Sequence, residues 1–174
     1  MPVSWQLAQV NIGRLQARLD APELRPFMEA LDPVNAVADR SPGFIWRLQT
    51  EDGNATAVQA FTWDTGDSVG VIINMSVWTD VDHLTAFVLG DAHRAILRRR
   101  REFFERMPEA YLACWWVPAG HVPTTDEAEE RIRHLRANGP TPYAFTLRQH
   151  YPPPDPADPY QPRLNQPRQP WPAS

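Results

Sequence analysis

His93 is the residue of this sequence whose type and surroundings best suit acid–base chemistry. It ends the stretch "NMSVWTDVDHLTAFVLGDAH", residues 74–93, which reads as a strand, a turn and a helix. On that helix it shares a side with Leu89, Ile96 and Leu97, so its imidazole is predicted to project toward the apolar interior. Three interpretations stay open: a general base near neutral pH, a heme ligand, or a core histidine that donates to a carbonyl.

Amide side chains alternate with apolar residues on two predicted strands. Gln9 and Asn11 share one face of the first strand. Asn74 shares a face with Ser76 and Trp78 on a later strand. If this face lines a cavity between the sheet and the helices, the amides are suited to bind an oxygenated ligand beside an aromatic wall. Otherwise each amide is buried and must find partners in the core.

The stretch "CWWVPAGH", residues 114–121, supplies further candidates. Trp115 and Trp116 lie on opposite faces of one predicted strand, and each either stacks on a planar ligand or packs in the core. His121 follows a Pro-Gly turn and is predicted at the mouth of the sheet. The histidine spacing matches no zinc motif, so no metal is predicted. Cys114 is expected to be an inert buried thiol.

The basic run "RRRREFFER", residues 98–106, has opposite charges four residues apart. The pairs Arg98 with Glu102 and Arg101 with Glu105 favour a salt-bridged solvent face. A nucleic-acid partner is not predicted, because the net charge is -4. One of the four arginines could still reach into the cavity and neutralise an anionic substrate.

The bulk composition bounds the class of protein. A chain of 174 residues with 43% hydrophobic residues corresponds to about one domain with a real core. All seventeen basic residues are arginine, and the single cysteine excludes an intramolecular disulfide. Neither a signal peptide nor an apolar run of about 20 residues is visible, so we expect a cytoplasmic protein without membrane contact.

The elements that must position these candidates alternate in the order β-α-β-β-β-α-β-α within residues 1–149. This order is typical of an α+β, ferredoxin-like fold with an antiparallel sheet. Pro33 is predicted to kink or split the first helix, "GD" at 90–91 to interrupt the second, and Thr124 or Thr125 to cap the last. Strands are predicted at "WQLAQVNI", "GFIWRLQT", "TAVQAFTW", "VGVIINMSVW" and "AYLACWWVP".

Two larger-scale predictions follow from this order. The helices are expected on one face of the sheet, and the opposite face, which carries Val71, Ile73, Met75 and Val77, is apolar. A homodimer through this sheet face is therefore predicted. The proline-rich residues 150–174 are predicted to form an extended or disordered tail, with docking on a neighbouring subunit left open.

Several motifs carry a resemblance to known families. In order along the chain, "LAQVNIGRL", "GFIWRLQ", "INMSVW", "HRAILRRRREFF" and "YLACWWVPAGHVPTTDEA" together resemble one small bacterial family known only as a domain of unknown function. The element order, "SVW", Phe87 and the "AH" ending at His93 resemble the wider dimeric α/β-barrel superfamily. That superfamily includes antibiotic-biosynthesis monooxygenases and heme-degrading monooxygenases.

The resemblance implies a site. The heme-degrading branch uses an Asn on the first strand, an aromatic residue on the second helix and a His beyond it, and the matching positions are Asn11, Phe87 and His93. Phe87 stands where that branch has tryptophan, so the role of the indole is not carried over. The cofactor-free monooxygenases instead hold a phenolic substrate whose own electrons activate oxygen.

These observations lead to one predicted function and two alternatives. The prediction is a small-molecule enzyme similar to the cofactor-independent monooxygenases, acting on an aromatic or polyketide-like substrate between sheet and helices. The alternatives are a non-catalytic dimeric binding module for a hydrophobic metabolite and a heme-binding protein. His93 and Asn11 are the predicted catalytic residues. The predicted substrate-binding residues are Gln9, Asn74, Trp78, Phe87, Trp116 and His121.

Overall fold

The computed structural model describes residues 3–155 and residue 157. These residues form an α+β fold, which confirms the predicted class. The elements in chain order are β1 (Trp5–Arg14), α1 (Arg25–Arg40), β2 (Phe44–Arg47), β3 (Val71–Trp78), α2 (Val81–Leu89), α3 (Asp91–Arg98), α4 (Arg100–Phe103), β4 (Leu112–Pro118) and α5 (Thr125–Asn138). Short 3₁₀ helices lie at Pro22–Leu24 and Thr62–Asp64. Across the described ranges no helix has both the length and the apolar character needed to span a membrane, and the cytoplasmic location stays a prediction.

One antiparallel sheet organises the chain. Its strand order is β2-β3-β1-β4, which is the order of a split β-α-β, ferredoxin-like sheet. The two central strands pair from Leu7 opposite Trp78 to Arg14 opposite Val71. This register places Asn11 directly opposite Asn74. The two predicted amide positions are thus neighbours at the centre of the sheet.

The predicted strand "TAVQAFTW", residues 56–63, is wrong. The segment runs as turns and irregular chain into the 3₁₀ helix. Phe61 has the left-handed φ of 54°, and its backbone N–H donates to the Glu129 carboxylate at 2.7 Å instead of to a strand. A specific side-chain acceptor on α5 thereby replaces the ladder partner that the apolar pattern suggested.

The helix boundaries mostly follow the predicted signals. The side chain of Asp80 caps α2, and that of Thr124 caps α5. Gly90 is extended and separates α2 from α3, which confirms the predicted break. The predicted split at Pro33 does not occur, because α1 continues through it. Pro33 and Glu29 are exposed, so water can reach the Glu29 carbonyl that proline leaves without a donor.

The two faces of the sheet are covered differently. The face that carries Val10, Met75 and Trp115, here called the closed face, packs against Ile132 of α5, and these residues are at most 1% exposed. Homodimerisation stays a prediction, but the prediction that helices occupy one face only is therefore wrong. The reason is that α5 crosses to the second face and buries it within one chain.

Asp64 links α5 to the sheet through ion pairs. Its carboxylate accepts from Arg14 of β1 at 2.8 Å and from both terminal nitrogens of Arg136 of α5 at 2.8 and 2.9 Å. Burial by itself would raise the pKa of Asp64, but the hydrogen bonds and charges of Arg136 and Arg14 outweigh it and hold that pKa below its usual value. The carboxylate therefore stays ionised and joins three elements.

Candidate functional site

A row of polar side chains crosses the middle of the other face, here called the open face. Gln9 is 4% exposed, and its amide nitrogen donates to Asn74 Oδ1 at 2.9 Å and to Ser76 Oγ at 2.8 Å. Trp78 Nε1 donates to the same hydroxyl at 2.9 Å. Asn11 Nδ2 donates to Gln9 Oε1 at 3.2 Å. We call these five residues the polar ladder.

The ladder leaves two groups for a ligand. Asn74 lies in the middle of a central strand and is nevertheless exposed, whereas its neighbours Ile73 and Met75 are buried. Among the side-chain hydrogen bonds described for residues 3–155, Asn74 takes part only through Oδ1 and Asn11 only through Nδ2. Asn74 Nδ2 and Asn11 Oδ1 therefore offer a donor and an acceptor above the sheet.

A cavity of about 130 Å³ opens above this point, between the open face and helices α1, α3 and α4. Its polar lining includes Asn11, Asn74, His93 and Arg100, and most of the remaining wall is apolar. Phe27 and Phe104 form an aromatic part of that wall, edge to face at 5.1 Å. A few polar groups converging in an apolar cavity are the usual form of a small-molecule site.

Gly13 shapes one end of this cavity. A Cβ atom at position 13 would lie 2.6 Å from the Phe104 ring, closer than real Cβ atoms approach a neighbour. The missing side chain therefore lets the ring of Phe104 lie directly on β1. Phe104 is 7% exposed and is held from the other side by Phe27.

The imidazole of His93 is held in one tautomer. Its Nδ1 lies 3.2 Å from the carbonyl oxygen of Val88, and a carbonyl only accepts, so Nδ1 carries the hydrogen. Burial lowers the pKa of His93, although the bond to Val88 acts in the opposite direction. A neutral imidazole protonated at Nδ1 keeps a lone pair at Nε2, which is the form that a general base requires.

Arg100, the first residue of α4, brings a positive charge to the cavity wall. Its Nη2 donates to the Ile12 carbonyl at 3.3 Å. The guanidinium also lies over Tyr111, 4.2 Å from the ring centre, and 5.4 Å from that of Phe104. Burial lowers the pKa of Arg100, opposed by the electrostatic effect of Tyr111. An arginine still stays charged near neutral pH.

The predicted site residues separate into four groups. Asn11, Asn74 and His93 line the cavity together. Gln9 and Trp78 lie beneath it, because Gln9 is buried in the polar ladder and Trp78 is 0% exposed. They support the lining and do not form it.

Phe87 lies behind His93. Its ring stacks on Trp78 at 5.2 Å and lies 5.2 Å from the imidazole. Phe87 and His93 also line a separate recess of about 190 Å³ next to Pro42 and His83. Phe87 is therefore a wall of that recess and a support for His93, and it does not line the main cavity.

Trp116 and His121 are not among the residues that line the cavity. Trp116 is 7% exposed, and its Nε1 donates to the carbonyl of Tyr151 at 2.8 Å. His121 Nε2 lies 2.8 Å from the Glu127 carboxylate, which also accepts from Trp115 Nε1 at 2.7 Å. Both side chains bond to residues distant in sequence or on another element, and the local sequence pattern did not indicate these partners.

Other cavity residues escaped the sequence analysis. Arg100 was one of four consecutive arginines, and nothing in the run singles it out. The predicted pairing of Arg98 with Glu102 is replaced by Arg99 with Glu102 at 2.7 Å. Further lining residues come from α1 and from the loop after β2, namely Asn35, Asn54 and Thr56. No period marks such loop positions in advance.

The cavity does not fit a heme, and a metal centre is not formed either. The cavity volume of about 130 Å³ compares with roughly 150 Å³ for an engineered cavity that takes one benzene ring. A porphyrin would lie largely outside it. Within the described part of the chain, no group of three His, Cys, Asp or Glu side chains is arranged to hold a metal ion.

Cys114 is buried in the sheet as predicted. It is 0% exposed, and burial raises the pKa of its thiol to about 12. A thiol in this state is neither a nucleophile nor a metal ligand. The predicted chemistry of the site therefore does not involve sulfur.

Comparison with known proteins identifies the family. The family described as "Domain of unknown function (DUF3291)" matches residues 6–161. No curated protein matches the chain. Among solved structures, SnoaB, a cofactor-independent oxygenase from Streptomyces nogalater, is similar over 68% of this chain and 95% of its own, with 15% identity and a TM-score of 0.38. A protein of unknown function from Nitrosomonas europaea is similar over 71% and 99%, with 11% identity and a TM-score of 0.41. The chain belongs to the DUF3291 family, as its motifs predicted.

Proposed function

We propose that this member of the DUF3291 family is a small-molecule enzyme that oxygenates a one-ring aromatic substrate without an organic cofactor. The observation that carries the proposal is the meeting of Asn11, Asn74, His93 and Arg100 in one largely apolar cavity. The cavity volume of about 130 Å³ favours a single ring over a polycyclic body.

His93 acts as the base in the proposed reaction. Its Nδ1 is engaged with Val88, so Nε2 is the atom that accepts the hydroxyl proton of a phenolic substrate. The lowered pKa of His93 keeps the imidazole neutral and available near pH 7. Asn74 Nδ2 donates to the resulting oxyanion, and the apolar surroundings strengthen this hydrogen bond.

Dioxygen is the oxidant in this proposal. The phenolate gives up its electrons, and one oxygen atom bonds to a ring carbon. The second oxygen atom leaves as water with the hydroxyl proton and the hydrogen of that carbon. A phenol and dioxygen thus yield a quinone and water, and no external reductant is consumed.

The test measures oxygen uptake with a set of one-ring phenols, including phenol, resorcinol and 4-hydroxybenzoate. At least one should give uptake above the spontaneous rate. The variant His93→Gln should lower that uptake by about 10²- to 10⁴-fold, the usual contribution of a general base. His150→Gln is the matched control, because His150 is exposed and bonds only to the carbonyl of Leu147. Uptake that His93→Gln leaves unchanged would contradict the assigned base.

A binding module without catalysis is the second candidate. The hydrogen bonds described within residues 3–155 join His93 only to Val88. No carboxylate orients the imidazole, as one does in many acid–base sites. Phenol binding in the cavity without oxygen uptake from any member of the set would favour this function.

A further inference from the structure

We infer that the cavity selects an aromatic monocarboxylate and that Arg100 is the residue that binds its carboxylate. The inference rests on the proposed function, because it names the substrate class of the same cavity. It starts from the charge of the lining: Arg100 is its single permanently charged side chain, and the described lining has no Asp or Glu.

The charge of Arg100 is not neutralised within the described part of the chain. Arg14 and Arg136 are paired with Asp64, and Arg47 with Asp39. The buried Arg131 is in none of the described ion pairs, but the charges of Glu127 and Glu130 act on it. None of the ion pairs among residues 3–155 includes Arg100. A half-buried cation without a counter-ion is costly, and an anionic ligand would remove that cost.

The surroundings of Arg100 also hold the guanidinium in place. The Ile12 carbonyl takes one nitrogen, and Tyr111 covers one face of the guanidinium plane at 4.2 Å. Its remaining N–H groups are free to meet a carboxylate, whose two oxygens match the planar fork. A neutral hydroxyl or amide cannot provide this pair of charge-assisted bonds.

The apolar walls and the volume set the rest of the ligand. Phe27 and Phe104 suit the face and edge of an aromatic ring. About 130 Å³ accommodates one ring. A ring with a carboxylate near Arg100 and a hydroxyl near His93 and Asn74 matches the charge of Arg100 and the free groups of His93 and Asn74, and a hydroxybenzoate has this composition.

The experiment compares three one-ring probes on the full chain: benzoate, its neutral isostere benzamide, and phenol. Binding is followed by NMR titration of the side-chain amides of Asn11 and Asn74, with the exposed Asn138 as a reference. Benzoate should bind about tenfold to hundredfold more tightly than benzamide, the range of a charge-assisted pair. Arg100→Gln should remove this preference by weakening benzoate binding more than benzamide binding.

Two further variants complete the test. Arg101→Gln removes a neighbouring exposed arginine and should change neither affinity. Arg100→Lys keeps the charge but loses the planar fork, so it should retain part of the preference and covers the case in which Arg100→Gln does not fold. Equal binding of benzoate and benzamide, or full benzoate affinity in Arg100→Gln, would overturn the inference and leave the proposed function standing. Failure of all three probes to bind would instead overturn the proposed function itself.

Discussion

The closed and open faces are built from alternate residues of the same strands, yet they differ in burial and in what covers them. On the closed face Val10, Met75 and Trp115 meet α5 and are at most 1% exposed. On the open face Asn74 is exposed at the centre of the sheet, and a cavity separates it from the helices.

The difference lies in what each row of side chains needs. Apolar side chains gain free energy from any close cover, at about 25 cal/mol per Å² of buried surface. The free amide groups of Asn74 and Asn11 would lose hydrogen bonds to water under an apolar helix, at roughly 1–3 kcal/mol for each unsatisfied group. A polar ladder in a central sheet therefore keeps space above it unless a ligand brings matching groups.

The largest expected effect comes from the Asp64 carboxylate, which links the sheet to the α5 layer on the closed face. Asp64→Asn removes the carboxylate that joins β1 to α5 and leaves Arg14 and Arg136 facing a neutral amide. We expect a loss of about 3–5 kcal/mol in the free energy of unfolding, measured by urea denaturation. Asp67→Asn is the control, because Asp67 is exposed and in none of the described ion pairs, and it should change little. Equal free energies of unfolding for the two variants would show that the Asp64 carboxylate does not contribute to stability.

The same group predicts the response to acid. The folded state holds the pKa of Asp64 below its usual value. Its contribution to stability is therefore complete above the unfolded pKa of about 4, and it is lost as the pH falls from there through the folded value. Thermal unfolding between pH 6 and pH 2.5 should show a smaller loss of stability in Asp64→Asn than in the unaltered chain. Parallel curves would contradict this assignment.

Substitutions at two neighbouring positions on β3 allow the two faces to be compared directly. Met75→Ala opens a void under α5 and should cost about 3 kcal/mol, within the range for buried methionine. Asn74→Ala, one residue away, should cost only about 1 kcal/mol, because the buried Gln9 amide loses one of its two acceptors at an otherwise exposed position. Phenol binding should be weakened in Asn74→Ala only. A large loss of stability in Asn74→Ala would show that the ladder is structural and not a ligand surface.

A smaller effect than those of Asp64→Asn and Met75→Ala is expected from a change within the polar ladder. Gln9→Leu removes the buried amide that bonds to Asn74, Ser76 and Asn11. We expect a loss of about 1–2 kcal/mol in the free energy of unfolding. Ligand binding should also weaken, because Asn11 and Asn74 lose their common support, and a titration with phenol checks this. Unchanged binding in this variant would mean that the cavity wall does not depend on Gln9.

The sequence allowed the open face to be predicted better than its cover. Alternation on β1 and β3 placed Asn11 and Asn74 on one face, since a strand has a period of two. His93 was found because a single polar residue stood on the apolar side of a helix. Arg100 could not be singled out, because its selection from four arginines depends on where α4 begins against β1. The position of α5 was also missed, since its acidic first turn resembles a solvent-exposed helix and its buried apolar residues Ala128, Ile132 and Leu135 stand among charged ones.

Gly13 has a consequence for how this cavity can change over evolutionary time. A Cβ atom at position 13 would lie 2.6 Å from the Phe104 ring, so a side chain there would require the ring to shift. The ring also packs edge to face against Phe27. A single-nucleotide change in one codon could therefore alter the length of the cavity without touching the polar ladder or the closed face. Members of the family that carry a larger residue here would accept shorter ligands, so divergence in substrate size is separable from divergence in fold.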